Sequence, residues 1–215
     1  MIKTIKHHEC WHFNPDLTIF MGYDIMLLET DIETPFSQPI RLASESQLSS
    51  LPNVYPSGEN FVSYGFGRTS TNSNQQVQIL QKTDPVEYIR CDLLALFTDR
   101  DDMMCYTVKN QQTICNGDSG GPRVQGKIQY GVHSSTLNSG SVVVCEQNTN
   151  LAKITFPGHP NNGQYLLQSG SMSLDTAVGD YITWIRGNSD YDPAGVFFGD
   201  EITTTVWGIL SFLYF

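Results

Sequence analysis

Positive charge is scarce in this chain of 215 residues: 12 Lys and Arg stand against 22 Asp and Glu, a formal net charge of −10. A surface this acidic repels phosphate backbones and anionic lipid headgroups, which sets nucleic acid aside as a partner. Charge of either sign is thin, at 16% of residues against 40% hydrophobic ones, and the length suffices for one sizeable core or two small ones. Long apolar runs are missing as well. The apolar tail over 202–215 falls short of the roughly 20 residues a spanning helix needs, so no membrane span is expected. The first residues are basic but meet Glu9, Cys10 and Trp11 instead of an apolar core, so they are not expected to act as an export signal. Internal repeats are absent, and so is any long segment of helical period.

In their place stand short apolar or alternating runs, punctuated by Gly, Pro, Asn and Ser clusters. This is the pattern of an all-β sandwich or barrel. Candidate strands cover 24–29, 60–64, 76–81, 123–124, 128–132 and 141–145. One stretch departs from the pattern: TAVGDYITWIR at 176–186 aligns Val178, Tyr181, Ile182 and Ile185 on one side and predicts a short amphipathic helix. The polar TSTNSNQQ at 69–76 reads as a hairpin loop. Five cysteines, at 10, 91, 105, 115 and 145, suit an oxidising compartment if at least two pairs form, with one sulfur left over.

The most specific stretch is ICNGDSGGP at 114–122. Gly117 and Gly120 admit backbone angles closed to other residues, so the amides of Gly117 and Ser119 can converge on one point beside the Ser119 hydroxyl. Converging donors next to a nucleophile stabilise a developing oxyanion. With Cys115 before the serine and Pro122 closing the run, the segment resembles the CxGDSGGP of the chymotrypsin/trypsin-like serine endopeptidases. Further matches follow in that family's order: DIMLL at 24–28 resembles DIALL, YGFGRT at 64–69 resembles GWGRT, and Met104-Cys105 resembles the MLCA cysteine. Residues 130–135 resemble the strand lining the substrate channel, and 178–185 the closing helix. Together the matches span roughly residues 7–186.

The resemblance implies an all-β, chymotrypsin-like double β-barrel whose first barrel is truncated, with a short C-terminal helix. It implies Ser119 as nucleophile, Asp24 as the carboxylate that orients a histidine, Gly117 and Ser119 as oxyanion donors, and Asp118 as acceptor of the activation ion pair. It pairs Cys91 with Cys105 and Cys115 with Cys145. Cys10 is then left over, either because its partner lies upstream or as a surface thiol. Thr113, Ser134 and Ser135 are placed at the substrate pocket; a threonine at 113 cannot neutralise a cation, so an apolar or small substrate side chain is expected there. Polypeptide substrates and protein inhibitors are the implied partners, in a secreted setting. Neither a metal nor a cofactor is implied.

One part of the pattern is missing. A serine nucleophile needs a neutral imidazole to take its proton, and the family's AAHC-type motif, like its IVGG start, has no counterpart in the 23 residues before Asp24. His7, His8 and His12 read as loop residues, His133 as a strand residue that packs or bonds locally, and His159 as a loop residue. The expectation is a partial protease chain, nearly inactive by itself; the alternative is a protease-like binding module without catalysis. Residues 137–170 form either an enlarged loop beside the cleft or a tolerated surface insertion. The protease domain is expected over 1–186 and an extension over 187–215, whose apolar end either packs, is disordered or serves as a lipid-anchor signal.

Overall fold

The computed structural model describes residues 2–11, 23–30, 40–51, 61–69, 77–83, 86–91, 102–107, 114–138, 152–155, 164–167, 171–189 and 207–210. Its strands form two main antiparallel groups. The smaller has three strands, Ile2–His7 (β1), Met26–Thr30 (β2) and the C-terminal Trp207–Leu210 (β13), with β2 in the middle. Its inner edge is buried: Ile25, Met26 and Leu27 are at most 4% exposed. The strand expected at 24–29 begins at Met26 because Tyr23 has a left-handed backbone, φ 55°, and the Ile25 amide turns back to the Tyr23 carbonyl.

The larger group begins with Arg41–Leu42 (β3), which pairs parallel to the long strand Ile128–Asn138 (β9). Between them come Phe61–Gly65 (β4), Gln81–Lys82 (β5), Glu87–Arg90 (β6), Met103–Thr107 (β7) and Pro122–Gln125 (β8). With Ser171–Ala177 (β12), the order across the sheet is β5-β4-β8-β9-β12-β7-β6. The two ends meet, since Phe61 in β4 bridges Val86 just before β6 and accepts its amide at 3.0 Å. The sheet therefore curls into a barrel and hides most of its edges. Aromatic rings fill it: Phe61 lies 5.3 Å from both Tyr106 and Tyr130 and 6.1 Å from Tyr88, in tilted or edge-on contacts.

Two sequence expectations shift here. Of 77–81, the described part of the strand expected at 76–81, only Gln81 enters a strand, while Ile79 and Leu80 are exposed at 75% and 52%. The predicted helix at 176–186 starts later, because Thr176 and Ala177 complete β12 by pairing with Val132 and Gly131. A 3-10 turn follows at Val178–Tyr181, then α2 at Ile182–Asn188. An earlier helix, α1 at Glu45–Ser49, is closed by a capping box between Ser44 and Gln47. The strand expected at 141–145 lies outside the described residues. Within the long segment 137–170, Ala152–Thr155 (β10) and Gln164–Leu167 (β11) make a two-stranded antiparallel ribbon.

The tail is not separate from the fold. β13 pairs with β2 from Trp207↔Glu29 to Leu210↔Met26. Cys91 and Cys105 form a disulfide across a separation of 14 residues. Cys115 is also disulfide-bonded, and its expected partner, Cys145, lies outside the described residues. Cys10 is an exposed thiol.

Candidate active site

Two consecutive turns shape the serine loop. The Asp118 amide donates to the Cys115 carbonyl and the Gly121 amide to the Asp118 carbonyl, each at 2.9 Å, and the Gly120 amide donates to the His133 carbonyl. Gly117 and Gly120 adopt φ 96° and 81°, which side-chain-bearing residues rarely reach. The turns thus consume the amides of 118, 120 and 121, while those of Gly117 and Ser119 carry no internal hydrogen bond among the described residues. These are the two donors expected of an oxyanion site. Ser119 itself is exposed, on the wall of a cavity of about 730 Å3 that also includes Gly117, Tyr64, Phe66, Leu80 and Val124.

Asp118 points away from the serine into a cradle of main chain. Its Oδ1 accepts the Gly67 amide at 2.7 Å and its Oδ2 the Cys115 amide at 2.9 Å. A Cβ on Gly67 would stand 2.4 Å from the Asp118 carboxyl carbon, which explains the glycine in YGFGR. Sequence reasoning matched that segment by order alone. Its physical task is to let two loops approach a carboxylate.

Asp24 is 7% exposed at the entry to β2. Its Oδ2 accepts the Ser134 hydroxyl at 2.7 Å, and its carbonyl accepts the Thr176 hydroxyl at 3.0 Å. The unusual backbone of Tyr23 before it is clamped: the Tyr23 amide donates to Tyr181 Oη at 3.1 Å and to Asp102 Oδ2 at 3.3 Å, and Tyr181 in turn donates to Asp102 at 2.5 Å. A left-handed tyrosine costs about 1–2 kcal/mol, and this clamp offsets it. The strand β9 then joins the two halves of the site. The main chain of residue 133 bonds Gly120 and Gly121 on the serine loop, and Ser134 beside it holds Asp24.

A family model for trypsin matches residues 2–155. The chain belongs to the trypsin family. Chymotrypsin-like elastase family member 1 of Macaca fascicularis is 29% identical over 195 residues, covering 86% of this chain and 60% of the macaque protein. The Homo sapiens protein of the same name is 32% identical over 145 residues, covering 63% of this chain and 52% of that relative. The chain thus spans about three fifths or less of these relatives' length. Mouse neuropsin, a serine protease expressed in the limbic system, has a matching structure with a TM-score of 0.59 at 19% identity, covering 87% of this chain and 70% of that one. The trypsin-family chain therefore has the chymotrypsin-like fold, all-β with a short C-terminal helix.

Of the expected site residues, Asp24, Gly117, Asp118, Ser119, Ser134 and Ser135 are placed; Thr113 lies outside the described residues. Ser134, expected at the substrate pocket, bonds Asp24. The three described histidines are engaged elsewhere. His7 stacks on Trp11, His8 lies among Tyr23, Tyr181 and Trp184 with its Nδ1 accepting the Cys10 amide, and His133 meets Asp175. His12 and His159 lie outside the described residues.

Sequence reasoning missed the largest electrostatic feature. Arg123, His133 and Asp175 are at most 1% exposed and bonded together: Arg123 Nε donates to Asp175 Oδ2 at 2.7 Å, and His133 Nδ1 lies 3.0 Å from Asp175 Oδ1. Arg123 also donates to Ser173 Oγ at 2.9 Å and stacks 4.1 Å above the Tyr106 ring. Burial by itself would raise the Asp175 carboxyl; Arg123 first and then His133 reverse that and lower it to about 2. Burial, with the Asp175 charge nearby, pushes the Tyr106 phenol well up. A signal existed, since three charge-bearing side chains interrupt the apolar strands at 123, 133 and 175.

Proposed function

We propose that this chain is the larger part of a serine-type endopeptidase that hydrolyses peptide bonds through an acyl-enzyme on Ser119. The observation that carries the reading is β9, which bonds the serine loop through the main chain of residue 133 and the buried Asp24 through Ser134. Nucleophile and orienting carboxylate are thereby fixed to one rigid element. The unused amides of Gly117 and Ser119 would hold the oxyanion. Asp118, cradled by the Gly67 and Cys115 amides, is the group through which a freed amino terminus would act on the serine loop. Asp24 would orient an imidazole and stabilise its charged form.

The imidazole itself has no counterpart of the family's motif in this sequence. Without the base, oxyanion donors and binding leave roughly 10³–10⁴-fold acceleration over water, far below a complete triad. The chain alone is therefore nearly inactive in this reading. Domain limits of 1–186 for the protease unit and 187–215 for an extension belong to the same proposal, as do secretion and attachment through the apolar tail. The disulfides support an oxidising compartment, and among the described residues no helix is long and apolar enough to cross a membrane. The engagement of His7, His8 and His133 with other partners favours the second reading, a protease-like module that binds without cleaving.

The test is hydrolysis of a fluorogenic peptide panel by the chain as given and by any longer in-frame form, each beside its Ser119→Ala variant. Ser119-dependent turnover in a longer form carrying an AAHC segment, with near-background rates in the chain alone, supports the protease. Fast Ser119-dependent turnover by the chain alone would overturn the missing-base argument. A longer form lacking both that segment and turnover supports the binding module.

A further inference from the structure

The strand β13 stops just short of the proposed orienting carboxylate. It runs antiparallel to β2, with Ile209 opposite Leu27 and Leu210 opposite Met26. One more residue in that register reaches Ile25, and the next reaches Asp24. β13 also packs against β9, the strand whose Ser134 hydroxyl donates to the Asp24 carboxylate at 2.7 Å. The tail therefore arrives at the seam where Asp24 meets the larger sheet, along the edge of β2 opposite β1.

Past Met26, the main chain leading into β2 is largely engaged. The Ile25 carbonyl accepts the His8 amide from the β1 side at 3.2 Å, the Ile25 amide turns back to the Tyr23 carbonyl at 2.8 Å, and the Asp24 carbonyl accepts the Thr176 hydroxyl at 3.0 Å. Main-chain pairing with the tail thus runs out at Asp24. Residues 211–215 lie outside the described residues; their sequence, SFLYF, has no charged side chain and four large apolar or aromatic ones. Such a segment gains by burying side chains, not by further main-chain bonds. Five extended residues reach at most about 17 Å, so a start beside Met26 keeps them within that distance of it. At that end of β2, Tyr23 offers an aromatic ring that is 37% exposed.

We propose that residues 211–215 are an internal plug, which continues β13 past Ile25 and fills, with Phe212 and Leu213, the space beside Asp24 that the imidazole of a complete site would take. The surface it covers accepts an extended, uncharged, aromatic-rich segment, and its occupant is this chain's own tail. While the plug is seated, no base reaches Asp24 and Ser119 together. Its displacement is the step that opens the site to one. The proposal rests on Asp24 being the orienting carboxylate for Ser119, and it takes the place of attachment as the role of the apolar end.

The first test locates the tail. The full chain, with p-benzoylphenylalanine in place of Leu213, is irradiated and its crosslinks are mapped by mass spectrometry. Crosslinks within one molecule to residues 23–25 or 134–135 are expected. Phe212→Asp, which sets a second carboxylate beside Asp24, should cut their yield about tenfold. Crosslinks confined to other segments or formed mainly between two molecules, or a yield that Phe212→Asp leaves unchanged, would overturn the proposal. The second test supplies the missing base. Ser119-dependent hydrolysis of 4-nitrophenyl acetate, taken as the difference from Ser119→Ala, is followed against imidazole concentration for the full chain and for a chain ending at Leu210, which keeps β13. The response of the shortened chain should be about tenfold steeper, as for a plug seated roughly nine-tenths of the time. If the shortened chain fails to fold, Phe212→Asp in the full chain serves the same purpose. Equal, measurable responses refute the plug and leave the chemistry of Ser119 standing, whereas crosslinks at 23–25 with no Ser119-dependent response in either chain support the plug and count against the protease.

Discussion

Among the described residues, the sheet that carries Ser119 closes on itself, and the sheet that leads to Asp24 does not. In the first, Phe61 joins β4 back to the start of β6 and four aromatic rings fill the interior, so even Arg123 is only 1% exposed. In the second, three strands stand side by side and β1 leaves Ile2 and Ile5 about half exposed. The proposed oxyanion donors and nucleophile belong to the closed side, and the proposed orienting carboxylate enters from the open one. In the proposed reading the chain holds the part of the chemistry that needs rigid main-chain geometry, and Asp24 is tied to Ser134 and Thr176.

The sharpest way to break the closed side is Arg123→Ala. It leaves Asp175 as a buried charge with one partner fewer, for an expected loss of about 3–5 kcal/mol read from urea unfolding. Arg123→Met combined with Asp175→Asn should recover most of that loss, because it removes both charges together. Acid probes the same pair. The Asp175 carboxyl is depressed to about 2 in the fold, so its contribution is fully present above the ordinary aspartate range near pH 4 and is lost as the pH falls through about 2. Unfolding curves at pH 6, 4 and 2 check the sign, and Asp175→Asn should flatten that portion of the dependence.

Opening the Cys91–Cys105 bridge should come next. Closing a loop of about 15 residues contributes about 3 kcal/mol through the unfolded state, and the bridge ties β7 of the closed sheet to the end of β6. Replacing both cysteines with serine should lower the unfolding midpoint of that sheet. Ser134→Ala acts between the two regions. It removes the hydroxyl that donates to buried Asp24, with an expected loss of about 1–3 kcal/mol, whereas Ser134→Thr, which keeps the donor, should lose less.

What could be read from the sequence follows the same division. CNGDSGGP and DIMLL were legible because each has its own local demand: glycines at positive φ in one, and an aspartate ahead of an apolar strand in the other. The helix at 182–188 was visible from its apolar spacing, but Thr176 and Ala177 were not distinguishable from it, since their strand partners lie more than 40 residues away on β9. The ion network at 123, 133 and 175 depends on three strands that meet only in the folded sheet, so His133 could be read as a strand residue that packs or bonds locally, but nothing joined it to Arg123 and Asp175. The reason for Gly67 was hidden likewise, because the carboxylate it accommodates is 51 residues downstream.

The smallest effect is expected where the open sheet ends. β13 adds main-chain pairing of Trp207–Leu210 to β2, and net hydrogen-bond contributions of about 1 kcal/mol each are reduced by the entropy of ordering a tail. Deleting residues 207–215 should therefore destabilise β2 locally by about 1–2 kcal/mol, which makes its amides exchange roughly 5–30 times faster. The β2 amides that bond β1 are included, because β2 is the central strand and loses support on one side. Exchange in β7, β9 and β12 should be unchanged, since the closed sheet owes nothing to the tail for its pairing. If those strands also lost protection, the two sheets would be one cooperative unit and the contrast between them would fail. If β2 kept its protection, the tail strand would be dispensable and Asp24 would be held entirely by its ties to Ser134 and Thr176.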